Sequence, residues 1–241
     1  MTMTSGWLAA VVPTLNEAAR IEGTLAALVA DPAVALVVVA DGGSDDGTIE
    51  RAKDFSARFA MVELIDSPKG RATQLNAGAR WALESTDVQA LLFVHADCGL
   101  PADFGQHIAA ALADAEAVGG AFRTWTIDDT GGSRLAPLLH LADLRSRYSG
   151  LPYGDQAPFM RVSAYRAVGG FPEQPLMEDL EMSRRLRRLG RIVTVNGRVT
   201  VSGRRFIARP IFYTVLVNVF PALYRLGVSA ERLARLYRHV R

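Results

Sequence analysis

Four short segments hold side chains that could bind a charged ligand: Asp41-Gly42-Gly43-Ser44-Asp45-Asp46-Gly47-Thr48, Lys69-Gly70-Arg71, His95-Ala96-Asp97 and Glu178-Asp179. Asp41 ends an apolar run and opens a turn of glycines and short acids, residue types that tolerate tight backbone. An acid in that place can accept hydrogen bonds from the ribose or base of a nucleotide. His95 and Asp97 alternate, so both can face one side, and a carboxylate beside an imidazole can start a Mg²⁺ or Mn²⁺ site completed by a ligand's phosphates. Lys69-Gly70-Arg71 at a helix start offers backbone N–H groups and two cations to an anion. Glu178-Asp179 opens an amphipathic helix, where acids cap it and complement its dipole. Singly, each has an ordinary structural explanation; together they fall where one crevice could collect them.

The intervening sequence supplies the frame for that crevice. A repeated strand–helix rhythm predicts an α/β fold with a mostly parallel sheet. Strands are expected at 8–12, 36–40, 61–65, 90–94 and 118–125. Helices are expected at 17–29, after the acidic turn with Ser44 or Asp46 as cap, from Lys69 to about Leu83, and after Pro101 as a first-turn residue. Asp41 and Asp97, 56 positions apart, then both lie at carboxyl ends of strands, where open α/β sheets bind ligands. The second half breaks the rhythm: a helix over 135–148, a polar loop over 150–156, a strand over 157–162, a helix capped by Ser163, and a helix over 180–189 stopped by Gly190. Short strands at 192–195 and 199–201 and helices over 210–226 and 230–239 complete the expectation. With no linker or low-complexity run, the 241 residues read as one domain.

Composition narrows the class. Apolar content of 49% is ample for a core, and the single Cys98 excludes a disulfide framework and fits a reducing compartment. No basic leader precedes the first apolar run, so no signal peptide is expected. The net charge of +2 conceals an asymmetry: residues 1–180 hold 13 Lys or Arg against 23 Asp or Glu, while residues 181–241 hold 14 against 2. Such a tail suits either an anionic partner or a solvated arginine-rich surface. The apolar segment from Pro210 to Tyr224, at 15 residues, is too short for a membrane span of about 20. It would cover the sheet, form a homodimer contact or lie in a membrane interface.

These residues resemble those of the family 2 glycosyltransferases, nucleotide-sugar-dependent enzymes with the GT-A fold, in order across residues 8 to about 195. Pro13-Thr14-Leu15-Asn16-Glu17 is similar to the family's opening segment, and the Asp41 turn to its nucleotide-binding turn. Gly70-Arg71 with Asn76-Ala77-Gly78 resembles the segment after the third strand. His95-Ala96-Asp97 stands in place of the Asp-x-Asp metal motif. Arg161, Gly169-Gly170-Phe171 and Glu178-Asp179 resemble the acceptor-side block. The His-Ala-Asp form and the Tyr153-Gly154-Asp155-Gln156 loop also resemble a small subgroup found beside radical-SAM and selenium-related genes.

The resemblance implies a Rossmann-like sheet flanked by helices in a single domain over 1–241: a nucleotide-binding half (8–125), an acceptor half (126–205) and a C-terminal helical extension (206–241). It implies inverting transfer of a sugar from a nucleoside-diphosphate sugar to an unidentified acceptor, with no nucleic-acid partner. Asp179 would be the base and Glu178 its support. Pro13, Asn16, Glu17, Asp41, Gly42, Gly70, Arg71 and His95 would bind the donor nucleotide. Asp97, with His95, would hold Mn²⁺ or Mg²⁺, and Asp155, Gln156, Arg204 and Arg205 would contact acceptor or diphosphate. His95 departs from the family, which usually has an acid there. That departure favours the alternative of an inactive nucleotide-binding module that regulates or partners other enzymes. A nucleotidyltransferase lacks its glycine-rich signature here, and a dinucleotide-binding dehydrogenase lacks Gly-x-Gly-x-x-Gly after the first strand. The expected location is cytoplasmic, with a peripheral contact at the inner face of the membrane left open.

Overall fold

A computed structural model describes residues 6–128, 143, 150–203, 207 and 210–238. Five mostly apolar runs build the centre: β1 (Leu8–Thr14), β2 (Val34–Asp41), β3 (Val62–Asp66), β4 (Ala90–Phe93) and β6 (Ala117–Ile127). With β5 (Cys98–Gly99), β7 (Phe159–Arg161) and β8 (Arg191–Ser202) they form an eight-stranded sheet in the order β3-β2-β1-β4-β7-β6-β8-β5. β1 is parallel to β2 and β4, β2 to β3 and β6 to β8, while β7 and β5 run antiparallel to their neighbours. Among the described residues eight helices flank it: α1 (Ile21–Ala30), α2 (Thr48–Arg58), α3 (Arg71–Ser85), α4 (Phe104–Leu112), α5 (Val162–Val168), α6 (Glu178–Leu189), α7 (Pro210–Arg225) and α8 (Ala230–Arg238).

A strand buried on both faces must be apolar at successive positions, and its alternate side chains must feed two cores. Leu8, Ala10 and Val12 of β1, Val37 and Val39 of β2 and Leu92 of β4 pack on one side with Ile21, Leu25, Phe55 and Phe104 from α1, α2 and α4. Ala9, Val11, Val38, Leu91 and Phe93 pack on the other with Leu75, Ala79, Tyr165 and Met182 from α3, α5 and α6. Each of the larger side chains so buried contributes roughly 1.5–3 kcal/mol. α3 lies so close to β1 that a β-carbon on Gly78 would stand 2.4 Å from Val11 Cγ1, well inside contact. We therefore expect Gly78→Val to overpack this contact and cost about 1–3 kcal/mol. In urea the unfolding midpoint should drop with little change in slope.

Several elements depart from the sequence reading. Helix α1 starts at Ile21, after a turn in which Arg20 N and Ile21 N both donate to Glu17 O. Pro101 precedes helix α4 by a turn, because α4 begins only at Phe104, so it is not a first-turn proline. The two short strands expected after Gly190 are one strand, β8, whose pairing with β6 shifts register between Ala121 and Arg123. Strand β5 is an addition: two residues beyond Asp97 pair with Val201 and Thr200. The expected helix over 135–148 lies outside the described residues apart from Asp143, as do Arg204 and Arg205. Among the described residues no helix is long and apolar enough to cross a membrane.

Because β1 is followed on one side by β2 and β3 and on the other by β4, the strand order reverses between β1 and β4. In open α/β sheets the carboxyl ends beside such a switch point are splayed by oppositely directed connections and form a ligand crevice. Thr14, Asp41 and the residues just beyond β4 sit there.

Candidate functional site

The floor of the crevice is hydrogen-bonded throughout. Asp41 is 2% exposed, and its carboxylate accepts from the N–H groups of Gly43 (2.9 Å) and Ser44 (2.7 Å) and the hydroxyls of Thr14 (2.8 Å) and Ser44 (2.6 Å). Four donors match the lone-pair capacity of a carboxylate. Expected to meet the nucleotide with its side chain, Asp41 is turned inward. Its geometric role is to hold the 41–48 turn, with Gly43 at φ +90°, where glycine is favoured. Asn16, at φ 58°, likewise ties two loops: its N–H donates to Ser44 Oγ (2.9 Å) and its side-chain carbonyl accepts from Asp45 N–H (3.0 Å). Glu17 N–H donates to Thr48 Oγ1 (2.8 Å), and Ala18 N–H to Asp46 Oδ2 (3.1 Å). The Thr48 hydroxyl bond to Asp46 holds that carboxyl below its usual range. Pro13 and Gly42 lie at the rim, with Gly42 N–H donating to Thr14 O (2.9 Å).

Beyond β4, His95 and Asp97 are half-buried and separated by buried Ala96, in a turn closed by Cys98 N–H donating to His95 O (3.0 Å) and not in the extended strand that the alternation assumed. Thr24 of α1 supports that segment, its hydroxyl donating to Ala96 O (2.8 Å). Burial, then the charges of Asp97 and Asp155, push the Cys98 thiol well up, and its Sγ lies 4.0 Å from Asp97 Oδ1 and 3.9 Å from Asp155 O, so the thiol is a core filler beneath these two residues. Among the described residues no group of three His, Cys, Asp or Glu side chains is arranged to hold a metal. A Mg²⁺-type ion takes one or two protein carboxylates and fills its shell from a ligand's phosphates and water. Asp97 and Asp155 both adjoin Cys98, which fits an ion of that kind, with Asp97 and His95 as the groups that would hold it.

The third wall is formed by Gly154–Gln156, a single 3₁₀ turn, and the start of α6. Gly154 N–H donates to Asp179 Oδ2 (2.7 Å), and Leu180 N–H is 2.7 Å from Asp179 Oδ1. A β-carbon on Gly154 would come within 2.8 Å of His95 Nε2 and 3.3 Å of Asp179 Oδ2. Glycine is thus what lets the imidazole and the carboxylate flank one backbone point. Gln156 departs from expectation: it is 2% exposed, accepts from Tyr153 N–H (3.0 Å) and donates to Phe122 O (3.0 Å). Its amide is spent in the core and is not offered to a ligand. Arg161, matched to the acceptor-side block, instead binds the carbonyls of Ala117 (2.9 Å), Asp114 (3.1 Å) and Leu112, bracing the link from α4 to β6.

Glu178 closes the other side. It is 2% exposed, and its Oε1 lies 2.9 Å from Arg71 Nη1, near enough for an ion pair but off the line of a hydrogen bond. Burial raises its carboxyl above the usual 4.5, Arg71 partly opposes this, and Asp179 adds to the rise. Between 4.5 and the raised value the folded chain binds the proton that the unfolded chain releases. The contribution of Glu178 to stability therefore declines as pH rises through that window and stays unfavourable above it. Its partner Arg71 is 47% exposed and can be solvated alone. Glu178→Gln should accordingly raise stability at neutral pH by about 0.5–2 kcal/mol. The gap from the native chain should narrow as acidity increases, which a melting series across pH 5–8 checks.

Two side chains were not singled out as polar anchors from sequence. Gln74 of α3 is 5% exposed and donates to Thr14 O (2.7 Å) and Ala40 O (2.9 Å), while accepting from Gly70 N–H (3.4 Å). Asn76 is bonded both ways to the Phe171 backbone (2.8 Å each) and accepts from Tyr165 Oη (3.0 Å), fixing the Gly169-Gly170 turn that leads to α6. The signal for Gln74 was a polar residue placed among apolar Ala72, Leu75 and Ala79 at the start of a helix. A cavity of about 640 Å³ lined by Arg80, Tyr165 and Arg166 lies farther along α3 and contains none of the carboxylates or the imidazole described above.

A sequence profile described as glycosyl transferase family 2 matches residues 9–169. Succinoglycan biosynthesis protein ExoA of Rhizobium meliloti (strain 1021) is 29% identical over 206 residues, covering 79% of this chain and 60% of that protein. Glycosyltransferase AglE of Haloferax volcanii is 31% identical over 103 residues, 41% of this chain and 33% of that one. The chain therefore spans at most about 60% of the length of these relatives. Among solved structures, the mannosyltransferase PcManGT of Pyrobaculum calidifontis, in complex with GDP-Man and Mn²⁺, aligns with TM-score 0.61 at 21% identity over 82% of this chain and 57% of its own. S. aureus TarS 1-349 with UDP aligns with TM-score 0.62 at 18% identity over 87% and 63%.

Proposed function

The chain belongs to glycosyl transferase family 2 and has the GT-A type of fold, and on that premise we propose that it moves a sugar from a nucleoside-diphosphate sugar to an acceptor with inversion at the anomeric carbon. One observation carries the reading: the Asp41 turn, Gly70-Arg71, His95 and Asp97, and the Gly154–Asp179 contact all converge on the carboxyl ends of strands at the switch point. Solved neighbours of like fold hold GDP-Man with Mn²⁺ or UDP. In the proposed arrangement the nucleoside lies over Pro13 and the 41–48 turn, contacting its backbone and rim, and the diphosphate lies between Arg71 and Asp97. Asp155 is assigned to acceptor or diphosphate; Arg204 and Arg205, expected to share that role, lie outside the described residues. A divalent ion held by Asp97 and His95 would neutralise charge on the leaving diphosphate.

Asp179 takes the proton. The acceptor hydroxyl attacks the anomeric carbon, the bond from that carbon to the diphosphate oxygen breaks with its electron pair, and the hydroxyl proton passes to Asp179. Gly154 N–H holds one carboxylate oxygen at 2.7 Å and so fixes the direction in which the acid receives it. Glu178 keeps Arg71 at the donor side while burying an ionisable group that a purely structural helix start has no need of. That burial favours an enzyme over an inactive binding module. We read residues 1–241 as one working domain, with the nucleotide half over 8–125, the acceptor half over 126–205 and the helical extension over 206–241.

Melting the protein with UDP, GDP and dTDP, with and without Mn²⁺, tests the reading. A nucleotide at about 100 times its dissociation constant stabilises by about 2.7 kcal/mol, a rise of roughly 5–10 °C for a chain of this size. One nucleotide should give that rise and Mn²⁺ should enlarge it. No shift with any of the three would contradict it.

A further inference from the structure

We infer that Gln74, which is 5% exposed and bonded to the segments that frame the crevice, is the positioning residue that sets the spacing between the nucleoside side and the phosphate side of the donor site. The inference rests on the transferase reading above.

A carbonyl has two lone pairs, and at the end of a parallel strand the one the sheet leaves over can take a side-chain donor. At the switch point the ends in question are Thr14, the last residue of β1, and Ala40, the penultimate residue of β2. Both N–H groups of the Gln74 amide are used on them, at 2.7 Å and 2.9 Å, and Thr14 O also takes Gly42 N–H. The amide oxygen faces Gly70 N–H at 3.4 Å. One buried side chain therefore joins three segments: the strand leading to the 13–17 loop, the strand leading into the Asp41 turn, and the turn that presents Arg71.

The fit is close. A β-carbon on Gly42 would stand 3.1 Å from the Gln74 amide, so the amide plane is the surface on which the Asp41 turn rests. Gln74 is also on the first turn of α3, three residues after Arg71, so pinning its side chain to the strand ends pins the helix start against them. Helix α3 could pack on β1 and β2 through Leu75, Gly78 and Ala79 with an apolar residue at 74, and the core would be kept. What would be lost is the fixed distance between Gly70-Arg71 and Gly42. A diphosphate linked to a nucleoside spans that distance and is bound best when it is preset.

The test separates positioning from mere stability. Gln74→Met retains length and helix propensity and removes all three hydrogen bonds. Leu28→Ala opens a hole in the core beneath α1, remote from the crevice, and serves as an equally or more destabilised control. Titrating wild type and both variants with whichever of UDP or GDP the wild type binds, in Mn²⁺, should show at least a tenfold weaker dissociation constant for Gln74→Met and a value within twofold of wild type for Leu28→Ala. Binding by Gln74→Met within twofold of wild type would overturn the inference while leaving the transferase reading intact. An equal loss in Leu28→Ala would also overturn it, because affinity would then follow global stability. Failure of the wild type to bind either nucleotide would overturn both.

Discussion

Replacing Asp179 with Asn should reduce turnover by about 10²–10⁴-fold, the range a positioned general base supplies, while leaving nucleotide affinity within a few-fold of native. Both carboxylate oxygens lie 2.7 Å from a backbone N–H group, Gly154 on one side and Leu180 on the other. Asn keeps one oxygen, so one of the two donors will face an NH₂ group at a cost of about 1–3 kcal/mol. Melting temperature should therefore fall, and nucleotide titration is what shows that the crevice survives. The oxygen that remains cannot take a proton at neutral pH, so the loss should appear in kcat and not in the donor's KM. Wild-type turnover in Asp179→Asn would remove this residue from the chemistry.

Asp41 gives the second large effect, and two replacements should behave oppositely. Asp41→Ala strips four donors of their acceptor in a site that is 2% exposed, and should cost about 3–5 kcal/mol, as when a buried charged partner is removed. Asp41→Asn preserves more. Its oxygen can accept from Gly43 and Ser44 N–H, and its NH₂ group can donate to the Thr14 and Ser44 hydroxyls once these rotate. We expect Asp41→Asn to lose less than about 1.5 kcal/mol and to retain most nucleotide affinity, whereas Asp41→Ala loses both. Urea denaturation with parallel nucleotide titration decides it. A stable Asp41→Asn that no longer binds nucleotide would show that the carboxylate meets the ligand directly.

Much of this arrangement was readable before any coordinates, for a physical reason. Runs such as Val37-Val38-Val39-Ala40 are apolar at every position because both faces of a parallel strand are buried, and their acidic or polar ends mark where the sheet stops. The placing of Asp41 at one strand end and of Asp97 just past another followed from that, whereas Asp179, at a helix start, was singled out by the family resemblance. Direction was not readable. Whether a carboxylate points to a ligand or to its own turn depends on which backbone N–H groups curl toward it, and Asp41 turned inward. Gln156 was read as a ligand contact because it lies in the polar, glycine-marked 150–156 loop, of the kind that covers a ligand. Only the pairing with Phe122 O, 34 residues away, shows it to be a core anchor. Gln74 escaped notice because one polar residue in an apolar helix stripe carries no local sign of a partner, and its partners lie 34 and 60 residues away.

Helix starts failed for a related reason. Pro101 and Glu17 sit where a helix is locally allowed, but Phe104 and Ile21 are where the apolar face first meets the core. Tertiary packing set both boundaries. The link between the Gly169-Gly170 turn and α6 was likewise hidden, because the fastening residue, Asn76, lies 95 residues from Phe171.

Amide hydrogen exchange of the wild-type chain, with and without its preferred nucleoside diphosphate and Mn²⁺, tests the central claim most directly. The predicted footprint is slower exchange in residues 41–48, 69–74 and 95–98, where the strand ends and the α3 start would line the donor site, with little change along the outer turns of α3 past Arg80. Protection confined to the cavity beside Arg80 and Arg166, or no protection with saturating nucleotide, would contradict a donor site at the switch point.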